Sequence, residues 1–426
     1  MSHLGILESN LSGSGFDCLR AAHDLGHRVT FFTRDLDRYL DVPGAFTFFD
    51  KYVDHIEHCE TNDDALLSKS VDAIHQADPF DAFLTVAEYD VVLAARTSAR
   101  LGLPTVSESS VAKARDKARM RETCAAAGVP MPRFRIVWSA DEAASAALEV
   151  GLPCVVKPAD ETSSAEVSRC TTAEQAAAAF DRILARAETT RGQACSPYVM
   201  VEECLFGPEV SVEVMAEGDS YRVLGVTDKS LAGRDRFVEL AHVFPSALPP
   251  EQAQACADTA VQALRAVGFD LGLAHVEVKT DGEAAKLIEI NPRPAGGRIT
   301  ELVDLSFGIS TLELVVRQYF GESVLDTIPE QPVAGAAIRY LTADPGTVSR
   351  VTGAESAAAM AGVREVLVKA YPGDTVGGLA RNGDRLGHVL AVADHPYTAA
   401  RVAEAAAHAI AIHTTQGAVR TQGAVR

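Results

Sequence analysis

Short apolar runs and helix-spaced apolar stripes alternate along the chain. Residues 4–8, Leu-Gly-Ile-Leu-Glu, predict a buried strand. A loop carrying Gly13 and Gly15 follows, then a helical stretch ending near Gly26, then a strand over residues 28–32. Residues 82–86 predict another strand and 89–101 another helix, the alternation of a parallel α/β domain. Ser109 and Ser110 suit the cap of a helix running to about Ala127, with Gly128 in the C′ position and Pro130 beyond it. A domain boundary is placed there. Residues 153–158, 198–205, 210–216 and 222–228 predict strands, the last two joined as a hairpin through Glu217-Gly218-Asp219-Ser220. Helices over 251–267 and 310–320 flank a further hairpin at 273–291. Past Pro332 come strands over 336–341, 363–369 and 385–393, then an Ala-rich helix over about 397–412. The hexamer Thr-Gln-Gly-Ala-Val-Arg stands twice, at 415–420 and 421–426, and without an apolar face it predicts a disordered tail.

The chain has 426 residues, which at roughly 100–200 residues per domain implies two to four domains. With 39 Lys+Arg against 58 Asp+Glu the net charge is −19, which argues against a basic nucleic-acid scaffold but leaves a small anionic ligand open. No apolar run approaches ~18 residues, so a membrane span is not expected. No signal-peptide pattern is visible at the start. The eight cysteines form no C-x-x-C pair and read as reduced, buried thiols of a cytoplasmic protein.

The hairpin at 273–291 carries the most chemistry. If Asp281-Gly282-Glu283-Ala284-Ala285 closes it, Glu277 faces Glu289 directly. Strand alternation then gives a core face of Ala274, Val276, Val278, Ile288 and Ile290, and an opposite face of His275, Glu277, Lys279, Glu289 and Asn291. Two carboxylates opposite each other repel. They read either as a solvated polar face or as ligands of an oxygen-seeking cation such as Mg²⁺. Arg293, stiffened between Pro292 and Pro294, favours the second reading, because a fixed guanidinium beside a cation suits a phosphoryl oxygen. Gly296 and Gly297 let backbone approach a ligand closely.

Leu287-Ile288-Glu289-Ile290-Asn291-Pro292-Arg293 closely resembles the metal-binding strand of the ATP-grasp ligases, and the resemblance extends over roughly residues 1–412. It implies an α/β fold with α+β lobes. Residues 1–108 would form an N-terminal parallel α/β domain. Residues 109–330 would form the ATP-grasp domain, with a small lobe at about 130–205. Residues 331–414 would form a C-terminal subdomain completing the cleft. By the same resemblance Lys117 (in Asp116-Lys117) and Lys157 (in Val155-Val156-Lys157-Pro158) meet the nucleotide phosphates. The linker Glu202-Glu203-Cys204-Leu205 reads the adenine edge, and Glu209 holds the ribose hydroxyls. Glu277, Glu289 and Asn291 ligate Mg²⁺, as one or two ions for which Mn²⁺ can substitute, and Arg293 lies near the transferred phosphoryl group. In one place the chain departs from the family. Glu161-Thr162-Ser163-Ser164-Ala165 replaces the usual Gly-rich phosphate loop, leaving backbone N–H groups and the hydroxyls of Ser163 and Ser164 to hold phosphate.

Phe237-Val238-Glu239-Leu240-Ala241-His242 resembles a substrate-loop pattern of the L-amino acid ligases, which make dipeptides. This implies that Glu239 meets an ammonium group and that His242 lies near the substrate. The alternative is a strand-edge Glu and a packed His. Arg298 either receives a substrate carboxylate or pairs with Glu301 on a helix face. Residues 385–389 resemble the C-terminal subdomain of carboxylases and purine-pathway members, a structural wall of the cleft.

The activity implied is ATP-dependent joining of a carboxylate, activated as an acyl phosphate, to an amine. The substrates are then small molecules, amino acids by the loop pattern, without nucleic acid or membrane as partner and with a homodimer left open. Residues 160–168 and 230–245 are the expected lids. Three rival readings are a carboxylase or purine-pathway ligase using bicarbonate or formate, a non-catalytic nucleotide-binding regulator, and a nicotinamide-dependent dehydrogenase. The last is suggested by Gly13-Ser14-Gly15, but Cys18 stands where the fingerprint's third glycine belongs.

Overall fold

A computed structural model describes residues 1–11, 14–232, 238–282 and 284–415. Gly13, residues 233–237 of the second expected lid (Phe237 among them) and the hexamers beyond Thr415 lie outside the described residues. Nearly all the rest of that lid is not a loop but lies in the strands Ser220–Ala232 and Val238–Phe244.

The expected β-α-β opening forms a four-stranded parallel sheet. Its spatial order is His55–His58, Arg28–Thr33, His3–Leu7, Ala82–Leu84. The chain leaves the His3–Leu7 strand in one direction and returns on its other side. The strand order therefore reverses between His3–Leu7 and Ala82–Leu84, the place where open α/β sheets offer a crevice at their carboxyl ends.

The small lobe is an antiparallel sheet of Phe134–Val137, Val199–Glu203, Cys154–Pro158 and Ser168–Cys170. Helices Ala140–Val150 and Ala173–Leu184 turn alanines and Phe180 onto Val156 and Val201.

An eight-stranded antiparallel sheet dominates the remainder. It runs Ala285–Asn291, Leu271–Thr280, Glu209–Glu217, Ser220–Ala232, Val238–Phe244, Gly335–Tyr340, Gly387–Ala393, Val363–Val368. The strands on either side of the boundary expected near 330 are hydrogen-bonded to each other within this sheet. The helix Pro250–Val267 covers one face, packing Cys256, Ala260 and Leu264 on Val276, Val278 and Leu287. The other face is apolar where Met215, Leu273, Phe244 and Ile338 meet Leu302, Phe307 and Val315, and polar over the part that lines a cleft.

Several expectations need correction. The single helix expected to Ala127 is two, Glu108–Arg115 and Lys117–Ala126. Asp116 breaks it by turning extended and accepting from the amides of Ala118 and Arg119, so Lys117 opens a new helix. Ser107, not Ser109 or Ser110, stands in the first N-cap position. The C-terminal helix stops at Ala409, and Ala411–Thr415 is a strand paired with Gly346–Thr352. The helix Ile299–Phe307 follows the glycine pair and bears Glu301, as the helix-face reading of Arg298 requires, although Arg298 itself stands at its N-cap.

The hairpin pairs Glu277 with Glu289 and His275 with Asn291, as its spacing predicts. Its register then slips, so that Val278 faces Leu287 and Thr280 faces Ala285. Ile288 is the extra residue of this bulge. It leaves the core face, which Leu287 fills instead, and lines a cavity.

Candidate active site

Cross-strand register builds the polar floor. One row across four strands reads Lys279, Glu209, Lys229, His242; the next reads Glu289, Glu277, Ser211, Thr227. Above it lies a cavity of about 470 Å³, walled also by residues from the N-terminal domain beyond the carboxyl ends of its strands, the loop at 162–164 and the C-terminal subdomain. A smaller cavity of about 110 Å³ adjoins it, sharing Thr162, Ser164, Glu209, Glu277 and Glu289 as walls. Val155, Pro158, Val167, Leu205 and Ile288 give the smaller one its apolar lining.

The smaller cavity is rich in cations. Lys117 and Lys157 are both buried. Lys117 Nζ lies 2.8 Å from Glu289 Oε1 and donates to the Glu161 carbonyl at 2.6 Å. Lys157 Nζ lies 2.8 Å from Glu202 Oε2. The same carboxylate accepts from Arg121 Nε at 2.7 Å, and Arg121 also donates to the Ile288 carbonyl at 2.8 Å. Burial opposes ionisation of Glu202, but Arg121 and Lys157 hold it down to about 2. Burial, helped by Arg121, lowers Lys157 in spite of Glu202. Glu203 sits at the rim and pairs with Arg133 at 3.3 Å. The Leu205 carbonyl accepts from Lys279 at 3.5 Å.

Ser163 and Ser164 line the larger cavity with φ of 55° and 58°, a left-handed backbone that glycine adopts more readily. Beneath that turn Glu161 is held by Tyr89 Oη at 2.6 Å, by the Thr190 amide at 3.0 Å and by Arg186.

On the other side of the paired glutamates one buried cation serves three carboxylates. Lys229 Nζ lies 2.7 Å from Glu277, 3.2 Å from Glu209 and 3.2 Å from Glu239. Burial would lower its pKa, yet the three carboxylates raise it well above the usual lysine value. Glu239 also receives Asn382 Nδ2 at 3.3 Å and lies 3.6 Å from Arg385. His242 is fully buried, 3.5 Å from Glu239. Gly297 lies directly over it with φ of 58°, and a Cβ there would come within 2.9 Å of His242 Nε2. The close approach to buried His242 is what favours glycine at 297, whereas Gly296 lines the cavity without a close neighbour. His275 takes Glu213 at 2.9 Å and Glu277 at 3.4 Å, which hold it up to about 9 against burial.

Asn291 is buried beside Arg293, whose Nη2 donates to its Oδ1 at 3.4 Å. Arg293 Nε lies 2.6 Å from Oε2 of Glu88, in the short turn Glu88–Asp90 of the N-terminal domain, an ion-pair contact without hydrogen-bond alignment. Arg298 is turned away from the larger cavity. It pairs with Glu301 at 2.5 Å, with both oxygens of Glu365 at 2.8 Å, and with His388 at 3.0 Å. Of the two readings of Arg298, the pairing with Glu301 is the one realised.

Among the described residues no three His, Cys, Asp or Glu side chains form a ready-made metal cage. The pair Glu277 and Glu289 with Asn291 fits a hard cation that completes its shell with phosphate oxygens and water. Their oxygens already attract ammonium groups at 2.7 and 2.8 Å, the electrostatic role such a cation would share. Sequence reasoning missed Lys229, Arg121, Glu88, Asn382 and Arg385. The strand Ser220–Ala232 carries Arg222, Asp228 and Ser230 besides Lys229, so nothing in its pattern singled Lys229 out.

Three family models match this chain: an ATP-grasp N-terminal domain over residues 19–105, an ATP-grasp domain over 150–301 and an L-amino acid ligase C-terminal domain 2 over 339–415. The last gives the C-terminal subdomain an L-amino acid ligase match beside the carboxylase-like resemblance expected for it. An uncharacterised protein of Sinorhizobium fredii is 33% identical over 312 residues, 72% of this chain and 63% of that one. The alanine–anticapsin ligase of Bacillus amyloliquefaciens is 28% identical over 253 residues, 55% of this chain and 53% of that one. The chain thus spans between about half and two thirds of the length of these relatives. The crystal structure of an L-amino acid ligase from Bacillus licheniformis superposes with a TM-score of 0.81 at 20% identity, covering 98% of this chain and 99% of that one. The chain belongs to the ATP-grasp superfamily, and its C-terminal subdomain is of the L-amino acid ligase type.

Proposed function

We propose that the protein is an ATP-dependent carboxylate–amine ligase that joins two amino acids. The observation that carries this reading is Glu277 facing Glu289 between a cation-lined cavity and one that holds Glu239. In this reading Lys117, Lys157 and the turn at Ser163 and Ser164 meet the nucleotide phosphates. The backbone from Glu202 to Leu205 takes the adenine edge, and Glu209 the ribose hydroxyls. Glu277, Glu289 and Asn291 would hold Mg²⁺, or Mn²⁺ in its place, which supplies neutralisation of phosphate charge when bound.

The carboxylate of one amino acid attacks the γ-phosphorus, giving an acyl phosphate and ADP. Arg293 offsets the charge that gathers on the transferred group. The neutral amine of a second substrate attacks the acyl carbon, phosphate leaves, and an amide forms. Glu239 binds the ammonium of the activated amino acid, with His242 beneath it and the backbone of Gly296 and Gly297 as its wall. The turn at 160–168 covers the site and excludes water, which would hydrolyse the acyl phosphate. The second expected lid does not, because Val238–Phe244 is a strand of the floor that carries Glu239 and His242. Residues 1–108, 109–330 and 331–414 act as the three walls of one cleft. Eight cysteines without a disulfide suit the reducing cytoplasm.

The test is phosphate release from ATP and Mg²⁺ over pairs of L-amino acids, run beside bicarbonate and formate, with products identified by mass. Release with amino-acid pairs and a product equal to their sum less water is expected. Release with bicarbonate or formate alone, or none with any pair, would overturn the reading.

A further inference from the structure

The larger cavity has an end that the chemistry above leaves unused. It is formed by the carboxyl ends of His3–Leu7 and Ala82–Leu84, where the strand order reverses. Arg38 lines it, half-buried, donating to the Ser9 carbonyl at 3.4 Å and finding no carboxylate partner among the described residues. Asp90 lines the same end and is 2% exposed. It holds the N-cap position of the helix Val91–Arg100 yet caps nothing, and its Oδ2 is buried without a partner. Arg191 closes this end from the small lobe, but its guanidinium is engaged by Glu8 at 3.1 Å.

A buried carboxylate oxygen without a donor is costly and calls for an explanation. Burial and the neighbouring Glu8 push Asp90 up to about 7 in spite of the guanidiniums of Arg191, Arg34 and Arg115, none of which hydrogen-bonds to it. Arg38 and Asp90 lie within electrostatic reach of each other without contact. An unpaired guanidinium and an unpaired carboxylate facing one cavity across a gap are complementary to a zwitterion.

We propose that this end of the cavity is the subsite of the amino acid that donates the amine, with Arg38 binding its α-carboxylate and Asp90 its ammonium. The inference rests on the ligase reading and deepens it. Only the amine donor keeps a free carboxylate through the reaction, so it alone needs a permanent cation. Glu88, two residues before Asp90, contacts Arg293 at 2.6 Å, so this end adjoins the group assigned to the transferred phosphoryl.

An amino-acid carboxamide has no carboxylate to activate and can serve only as amine donor, which makes it the diagnostic probe. With the pair of L-amino acids the wild type turns over best, replacing the amine donor by its α-carboxamide should lower kcat/KM about 10- to 100-fold, the loss of one charge-assisted contact. Arg38→Ala should raise the KM of the free amino acid by that factor, leave the carboxamide's KM unchanged, and spare the KM values of ATP and the activated substrate. A merely structural role would weaken both donors alike. Asp90→Asn, which changes no volume, should raise the KM of both donors. An Arg38→Ala enzyme that still prefers the free acid over the carboxamide as strongly as the wild type does would sink the subsite and leave the ligase reading standing. If no pair releases phosphate, the ligase reading fails. Protection against thermal unfolding by the twenty L-amino acids then decides the site. Protection lost in both Arg38→Ala and Asp90→Asn supports it, and equal protection or none overturns it.

Discussion

Lys157 and Lys229 are both almost wholly buried at one cleft, and they answer to opposite surroundings. Lys157 has a single carboxylate in contact, Glu202, and shares it with Arg121. Burial and the neighbouring guanidinium lower its pKa. Lys229 has three carboxylates around one ammonium, and despite burial its pKa is raised. The other basic groups around those carboxylates are more distant: Lys279 at 3.5 Å from Glu209, His275 at 3.4 Å from Glu277, and His242 at 3.5 Å and Arg385 at 3.6 Å from Glu239. The potential is therefore short of anions at the first lysine and short of cations at the second. A phosphate relieves the first region. A metal ion or an ammonium relieves the second. The paired glutamates lie on the line between them.

The largest expected effect sits on that line. Arg293→Ala should lower kcat by on the order of 10²–10³, the usual loss on removing one preorganised donor. Its ADP affinity, followed by calorimetry, should match the wild type. Near-normal turnover would show that charge does not accumulate beside Arg293.

Next comes Lys229→Met, which strips the shared cation from three buried carboxylates. Leaving buried charge uncompensated typically costs on the order of 3–5 kcal/mol. Denaturant unfolding without divalent ions should show a loss of that size, and Mg²⁺ should restore more stability to the variant than to the wild type. Equal stabilisation of both by Mg²⁺ would break the comparison, because Lys229 would then not be standing where a cation is wanted.

Lys157→Met should behave in the opposite way. Glu202 keeps Arg121, so unfolding should change less. Nucleotide affinity should fall about 10- to 100-fold through the lost charge-assisted contact. Mg²⁺ without nucleotide should not rescue it. A variant that gains stability from Mg²⁺ alone would place a metal demand on the wrong side of the cleft.

The sequence made part of this contrast legible. Glu277 opposite Glu289 followed from alternation and loop length, because hairpin register is set locally. The bulge at Ile288 did not follow. It shortens the closing loop by one residue and turns Ile288 from core to cavity, and only packing against the helix Pro250–Val267 selects Leu287 for the core. Lys229 escaped because Glu277 and Glu239 reach it from other strands, whose register is a tertiary property. Arg121 shares its helix with Lys117 and Arg119, and nothing in the spacing sets it apart from them, although its side chain is fully buried on Glu202. The break at Asp116 hid for a similar reason, since an Asp inside a helical stretch becomes a cap only once Lys117 has Glu161 and Glu289 to reach.

A third cluster supplies the control. Arg298 and His388 face Glu301 and Glu365 outside the cavities, two potential cations against two carboxylates, so nothing there asks for a ligand. The hydrogen bond with His388 is the main influence on Glu365. With Arg298, and against burial, it holds the carboxyl down to about 2 from an ordinary 4.5. A depressed carboxyl pKa adds stability that is present above pH 4.5 and is lost as pH falls through about 2. Because Glu365 is more than a third exposed, screening limits that contribution to about 1 kcal/mol or less. Glu365→Gln should therefore be less stable than the wild type by about that amount at neutral pH, with the two unfolding curves converging as the pH falls through about 2. Nucleotide, Mg²⁺ and amino-acid affinities should stay where they were. A tenfold loss in any of them would bring Arg298 back into the site and would mean that charge balance does not separate a clasp from a binding pocket in this fold.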